Sequence, residues 1–145
     1  MAKNPKYENE KDVKRQVKKL LTKHKWFWWM PAANGFGRTG IADINAFRGG
    51  VFLAIETKFG KNKPTPNQVG FLNSILSESG FAFIVNESRV EWLQAWLEAF
   101  DRSTDRATRN EAPTVEDGAL MLDAIREMTH ELAGDENPLK TSEQH

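Results

Sequence analysis

Asp43 and the tripeptide Glu56-Thr57-Lys58 are the residues whose types and spacing could act together. Two carboxylates offer hard oxygen ligands to a divalent cation, and a lysine beside them can position a water or stabilise negative charge in a transition state. The tripeptide alone says little, because acid-x-Lys arises by chance in a chain this rich in both, and Asp12-Val13-Lys14 is a second instance. Placement separates the two. Residues two apart on a strand share a face, so Glu56 and Lys58 project together from the end of the apolar run 51–55, whereas Asp12 and Lys14 fall on a helix, where i and i+2 diverge. A charged pair ending an apolar strand needs partners. A Glu–Lys salt bridge at a sheet edge is the plainer alternative. Glu10 favours a site: it precedes Val13 by three residues and Val17 by seven, so it continues the buried stripe of the first helix and can face the sheet. Complementing the dipole of that helix is its own alternative role. Three carboxylates and a lysine converging near Arg38, Lys61 and Lys63 fit phosphodiester hydrolysis. The acids would hold Mg²⁺ or Mn²⁺, and the surrounding cations would grip a phosphate backbone without reading bases.

Other patterns carry less. Gly35-Phe36-Gly37-Arg38-Thr39-Gly40 matches G-x-G-x-x-G, and Glu56 follows at a suitable distance. A dinucleotide fingerprint needs a strand directly before the first glycine and a helix directly after the last. Here Pro-Ala-Ala-Asn intervenes and Gly49-Gly50 follows too soon, so no nucleotide cofactor is expected and the segment reads as a flexible loop beside a site. His130-Glu131 opens an H-E-x-x-H pattern whose fifth position is Gly134, so the second zinc ligand is missing. His24 reads as a helix-end histidine near the C-terminal dipole.

The elements that must position these residues are legible from periodicity and punctuation. Val13, Val17, Leu20 and Leu21 mark an amphipathic helix over 10–25 with Asn9 as its cap. Trp26–Met30 reads as a strand. Ala42–Phe47 and Val51–Lys58 read as a hairpin about Arg48-Gly49-Gly50. Thr65-Pro66-Asn67-Gln68 is a capping box opening a helix that ends at Gly80, and 81–85 reads as a strand covered on both faces. Ser88, with Glu91 as box partner, is expected to cap another helix lined by Val90, Leu93, Leu97 and Phe100. Residues 101–113 are polar and aperiodic and read as a linker. Thr114 caps a last helix over 114–133, and 134–145 reads as a disordered tail. The expected fold is α/β, a mixed sheet flanked by helices in the order α-β-β-β-α-β-α, plus a C-terminal helix.

Composition narrows the setting. The chain has 145 residues, with 20 basic and 20 acidic side chains and no cysteine, which excludes disulfides, thiolate zinc sites and a cysteine nucleophile. Neutrality hides an asymmetry: residues 1–63 carry 14 basic and 5 acidic side chains, a surplus of nine positive charges, and residues 64–145 carry the opposite surplus. A polyanion partner for the first half follows. The polar start is unlike a signal or transit peptide, and the longest apolar stretch, 26–33, falls far short of the ~18 residues of a membrane span. A soluble, cytoplasmic protein with no membrane partner is expected, in the host cytoplasm if the chain is viral.

Taken in order, these residues resemble the PD-(D/E)XK nuclease superfamily and, within it, the compact VRR-NUC (virus-type replication–repair nuclease) domains. The match covers about residues 10–86: the leading helix with Glu10, the glycine loop, Gly40-Ile41-Ala42-Asp43, the hairpin into Ile55-Glu56-Thr57-Lys58, then Pro64-Thr65-Pro66-Asn67-Gln68 and GFAFIV. The resemblance implies a restriction-endonuclease-like core within 1–100. Asp43 and Glu56 would be metal ligands, completed by the Thr57 backbone carbonyl and Glu10, with Lys58 as catalytic lysine and Gln68 supporting the site. The family usually has Pro before the Asp, where this chain has Ala42. Gln68 is equally explained by its capping role. Small members of phage or bacterial type resemble metal-dependent DNA endonucleases of repair and recombination that act as homodimers, some on branched DNA. The helix at 114–133 lies outside the match, and its Met-rich apolar face, separated from the core by the linker, makes it a candidate dimerisation element, the alternative being that it packs on its own domain. Two rivals to cleavage follow: a nuclease-fold module that binds nucleic acid or protein without cutting, and a nucleotide-binding protein built on the glycine loop.

Overall fold

The computed structural model describes residues 6–32 and 39–133. Arg38, the glycine loop as far as that residue, and the tail 134–145 lie outside the described residues. The described chain forms α1 (Glu10–Lys23), β1 (Phe27–Trp29), β2 (Ile44–Arg48), β3 (Val51–Thr57), α2 (Pro66–Ser77), β4 (Phe81–Val85), α3 (Val90–Thr108) and α4 (Val115–Ala133). The sheet is mixed, in the order β1-β2-β3-β4, with β1–β2 and β2–β3 antiparallel and β3–β4 parallel. This is the expected α/β class and element order. No described helix is long and apolar enough to cross a membrane.

Local chemistry explains most boundaries. Asn9 caps α1 by accepting from the Asp12 N–H at 3.1 Å. The β2–β3 hairpin pairs Arg48 with Val51 across Gly49 and Gly50, whose φ values of 56° and 79° give the doubly left-handed turn that suits strand twist. The full capping box opens α2: Gln68 N–H donates to Thr65 Oγ1, and Thr65 N–H donates to Gln68 Oε1.

Two helical layers sandwich the sheet. Val13, Val17 and Leu21 of α1, with Leu93, Trp96 and Leu97 of α3, bury Leu53, Ile55, Phe83 and Val85 on one face. Leu72 of α2 buries Ala54, Ala82 and Ile84 on the other. The helix α2 lies over β3 and β4. On the β1–β2 half of that face Phe27, Trp29 and Phe47 are exposed, with Trp29 and Phe47 edge-on to Phe52.

Two expectations are corrected. Residues 101–108, expected as the first part of a linker, continue α3, so the connection to α4 is only 109–114. A helix with a polar outer face needs only one contact side, and here Arg102 on that stretch forks onto Asp117 of α4 at 2.8–3.2 Å, a partner that local periodicity cannot reveal. Ser88 does not cap α3: its N–H and hydroxyl both turn back to Asn86 Oδ1, and α3 starts at Val90 with Arg89 at the cap position and no side-chain cap. Thr114 does cap α4, accepting from the Asp117 N–H. Within the chain, α4 packs against the sheet and the other helices. Ala124 and Met128 join the larger core and Leu132 the smaller, so α4 straddles β4 and shields that edge.

Candidate metal centre

The carboxylates meet where the β2–β3 ladder stops. The last paired residues there are Ile44 and Ile55. One step further, side chains take over the backbone donors: Thr57 N–H and Thr57 Oγ1 both donate to Asp43 Oδ2, at 3.1 and 2.8 Å, and Asp43 N–H donates to Glu56 Oε2 at 3.3 Å. The two acids are thus fixed by the backbone they replace. Glu10, at the first position of α1, completes the group, and one carboxylate oxygen from each of Glu10, Asp43 and Glu56 lies within 4.8 Å of the others.

Glu56 projects towards α2 and is fully buried. Its Oε1 accepts from Gln68 Nε2 at 2.7 Å and lies 3.4 Å from Lys58 Nζ. Gln68 makes two contacts at once: its amide oxygen accepts from the Thr65 N–H that opens α2, while its amide nitrogen donates to Glu56. Burial, then the Asp43 charge, push the Glu56 carboxyl up to about 7 against the pull of Lys58. Lys58 does not offset the burial and repulsion at Glu56, and a bound cation would favour its charged form against both. An all-oxygen set of this kind fits Mg²⁺ or Mn²⁺.

Gly40 brings the segment carrying Asp43 against the start of α2. Its φ is 79°, and a Cβ there would lie 2.5 Å from the Asn67 backbone, so only glycine lets the chain pass this close to the helix bearing Gln68.

The structure brings Glu10, Asp43, Glu56, Thr57, Lys58 and Gln68 together. Lys61 and Lys63 are exposed on the loop joining β3 to α2, outside the ion pairs of the cluster among the described residues. Arg38 lies outside the described residues. One neighbour was missed by sequence reasoning: Lys14 Nζ stands 3.9 Å from Asp43 Oδ1. Its signal was present, since it lies one helical turn after Glu10 on the same face. No protein-family model matches the chain, and no curated protein matches it either.

Proposed function

We propose that this chain is a Mg²⁺- or Mn²⁺-dependent DNA endonuclease of the PD-(D/E)XK, VRR-NUC kind, hydrolysing phosphodiester bonds with water as nucleophile. The observation that carries the proposal is the convergence of Glu10, Asp43 and Glu56 with Lys58 and Gln68 at one end of the hairpin. A salt bridge at a sheet edge would need neither the second and third acids nor a buried Glu56.

Glu10, Asp43 and Glu56, with the Thr57 carbonyl, would hold the ion. When bound, it supplies the Lewis acidity that neutralises phosphate charge and makes water acidic. The chain does the rest. Asp43 is oriented by Thr57 and Glu56 by Gln68, so neither acid must reorganise as charge develops. The Lys58 ammonium, anchored on Glu56, can donate to the attacking water or to a non-bridging phosphate oxygen. Water oxygen bonds to phosphorus as its proton passes to solvent, and the bond to the leaving oxygen breaks as that oxygen takes up a proton from solvent to leave as a hydroxyl.

Supercoiled plasmid tests this directly. Glu56→Ala and Lys58→Ala should each abolish Mg²⁺- or Mn²⁺-dependent nicking while DNA binding persists. Retained nicking in either variant refutes the proposal, and failure of both ions to support cleavage of duplex, single strand or four-way junction favours a binding module.

A further inference from the structure

The outer face of α1 and the adjoining β1 form a second feature that the metal centre does not use. Arg15, Lys18, Lys19 and Lys23 of α1, with Thr22 and Trp28, line an open groove of about 510 Å³. Arg15 is shared with Asp12, but among the described residues no carboxylate lies within ion-pair distance of Lys18, Lys19 or Lys23. Four cations on two turns of helix repel one another. The floor between them is apolar: Trp28 lies on the side of β1 that packs against the α1–α3 core, and its Nε1 donates to Thr22 Oγ1 at 2.9 Å, which fixes the indole at the groove wall. The groove also has a direction. Lys14, beside Asp43, and Lys18, in the groove, are one turn apart on the same face of α1, a rise of about 6 Å.

We infer that this groove binds a segment of single-stranded DNA, with phosphates on Lys18, Lys19 and Lys23 and a base stacked on Trp28, and leads that strand to the carboxylate cluster. The direction of the strand rests on the nuclease reading; the binding does not. An excess of cations alone would suit any polyanion. A fixed indole among them suits one that carries aromatic bases, since stacking on an aromatic side chain is tolerant of sequence and adds to the electrostatic grip. Duplex DNA hides its base faces and would leave Trp28 unused.

The test uses the full chain in EDTA, so that binding is read without cleavage, and a fluorescein-labelled twelve-residue oligothymidylate as probe. Lys18→Gln/Lys23→Gln should weaken binding and reduce the slope of log Kd against log salt by about 1.4, at ~0.7 for each lost phosphate contact on a single strand. Trp28→Leu should weaken binding about tenfold with the salt slope unchanged. Circular dichroism melts of each variant establish that the fold persists, and Lys18→Arg/Lys23→Arg should restore the wild-type slope. An unchanged slope in the Gln variant, or unchanged affinity in a folded Trp28→Leu variant, overturns the inference. So does polyglutamate binding as tightly as the oligonucleotide, which would make the groove an acidic-peptide site. Groove-dependent binding by a chain that never cuts DNA overturns the nuclease reading alone, whereas plasmid nicking with both groove variants binding normally overturns the groove alone.

Discussion

Gln68 holds two jobs at opposite ends of one amide, and this lets stability be separated from chemistry. Thr65→Ala removes the acceptor for the Gln68 N–H and leaves Glu56 untouched, at a cost of about 1 kcal/mol of folding stability. Gln68→Ala costs a similar amount through the other half of the box, and also strips the 2.7 Å donor from Glu56. Urea unfolding should therefore give comparable losses for the two variants, while plasmid nicking falls only for Gln68→Ala. Equal losses of nicking would mean that Gln68 acts on the site through the helix alone. At this scale the sequence was informative where spacing obeys one local rule. Glu56 and Lys58 share a strand face, Glu10 extends a helical stripe, and the box fixes Gln68. Lys14 follows the same helical rule, but its tripeptide with Asp12 carries no signal of its own. The substitution of a ladder by Asp43, Thr57 and Glu56 side chains left no signature, because it depends on which strand residues come to lie opposite one another.

Between elements, long-range polar contacts decide what periodicity cannot. At the end of the sheet away from the carboxylate cluster, His24 Nδ1 and Arg48 Nη1 both meet the carboxylate of Asp101, and Arg48 Nη1 also donates to the His24 carbonyl, tying α1, β2 and α3 together. These partners lie 77 and 53 residues from Asp101, and the stretch containing it reads locally as a linker. Burial pushes the Asp101 carboxyl up, but hydrogen bonds from Arg48 and His24 with their charges outweigh it and hold the group below its ordinary 3.8. The native state therefore binds fewer protons than the unfolded chain just below that value. The stabilisation is fully present above pH 3.8 and is lost as pH falls through the lowered native pKa. Wild type and Asp101→Asn should differ in urea stability at pH 6, with the gap closing as pH drops below 4; a gap independent of pH would show that charge has no part in the tie. Packing makes a second claim on α4. Met128 is buried against β4, where its Sδ lies 3.5 Å from the Ile84 N, whereas Leu122 on the same helix is mostly exposed. Met128→Ala should cost about 2–5 kcal/mol and Leu122→Ala less than about 0.5. The reverse ranking in chemical denaturation would place the buried face of α4 elsewhere.

Across the whole molecule, the zero net charge of the sequence resolves into two zones whose difference comes from where charges are paired. The acids of α4 are partly neutralised from within: Asp117 takes Arg102, and Glu127 and Glu131 take Arg89. These pairs spend arginines of α3 and its approach on holding α4 in place, so that face offers DNA little free positive charge. The basic surplus of the first half lies largely on α1, which carries Glu10, and on the exposed loop with Lys61 and Lys63, which follows Lys58 in the chain. A cluster of three acids repels phosphate on its own, and cations flanking it raise the local concentration of a polyanion and orient it. DNA photocrosslinked to the full chain in EDTA should therefore label α1 and the loop 59–64. That labelling should fall steeply between 50 and 200 mM salt, as displacement of several phosphate counterions requires. Labelling chiefly of 115–133 would place the nucleic acid on the acidic side and break the link between charge zoning and the carboxylate cluster.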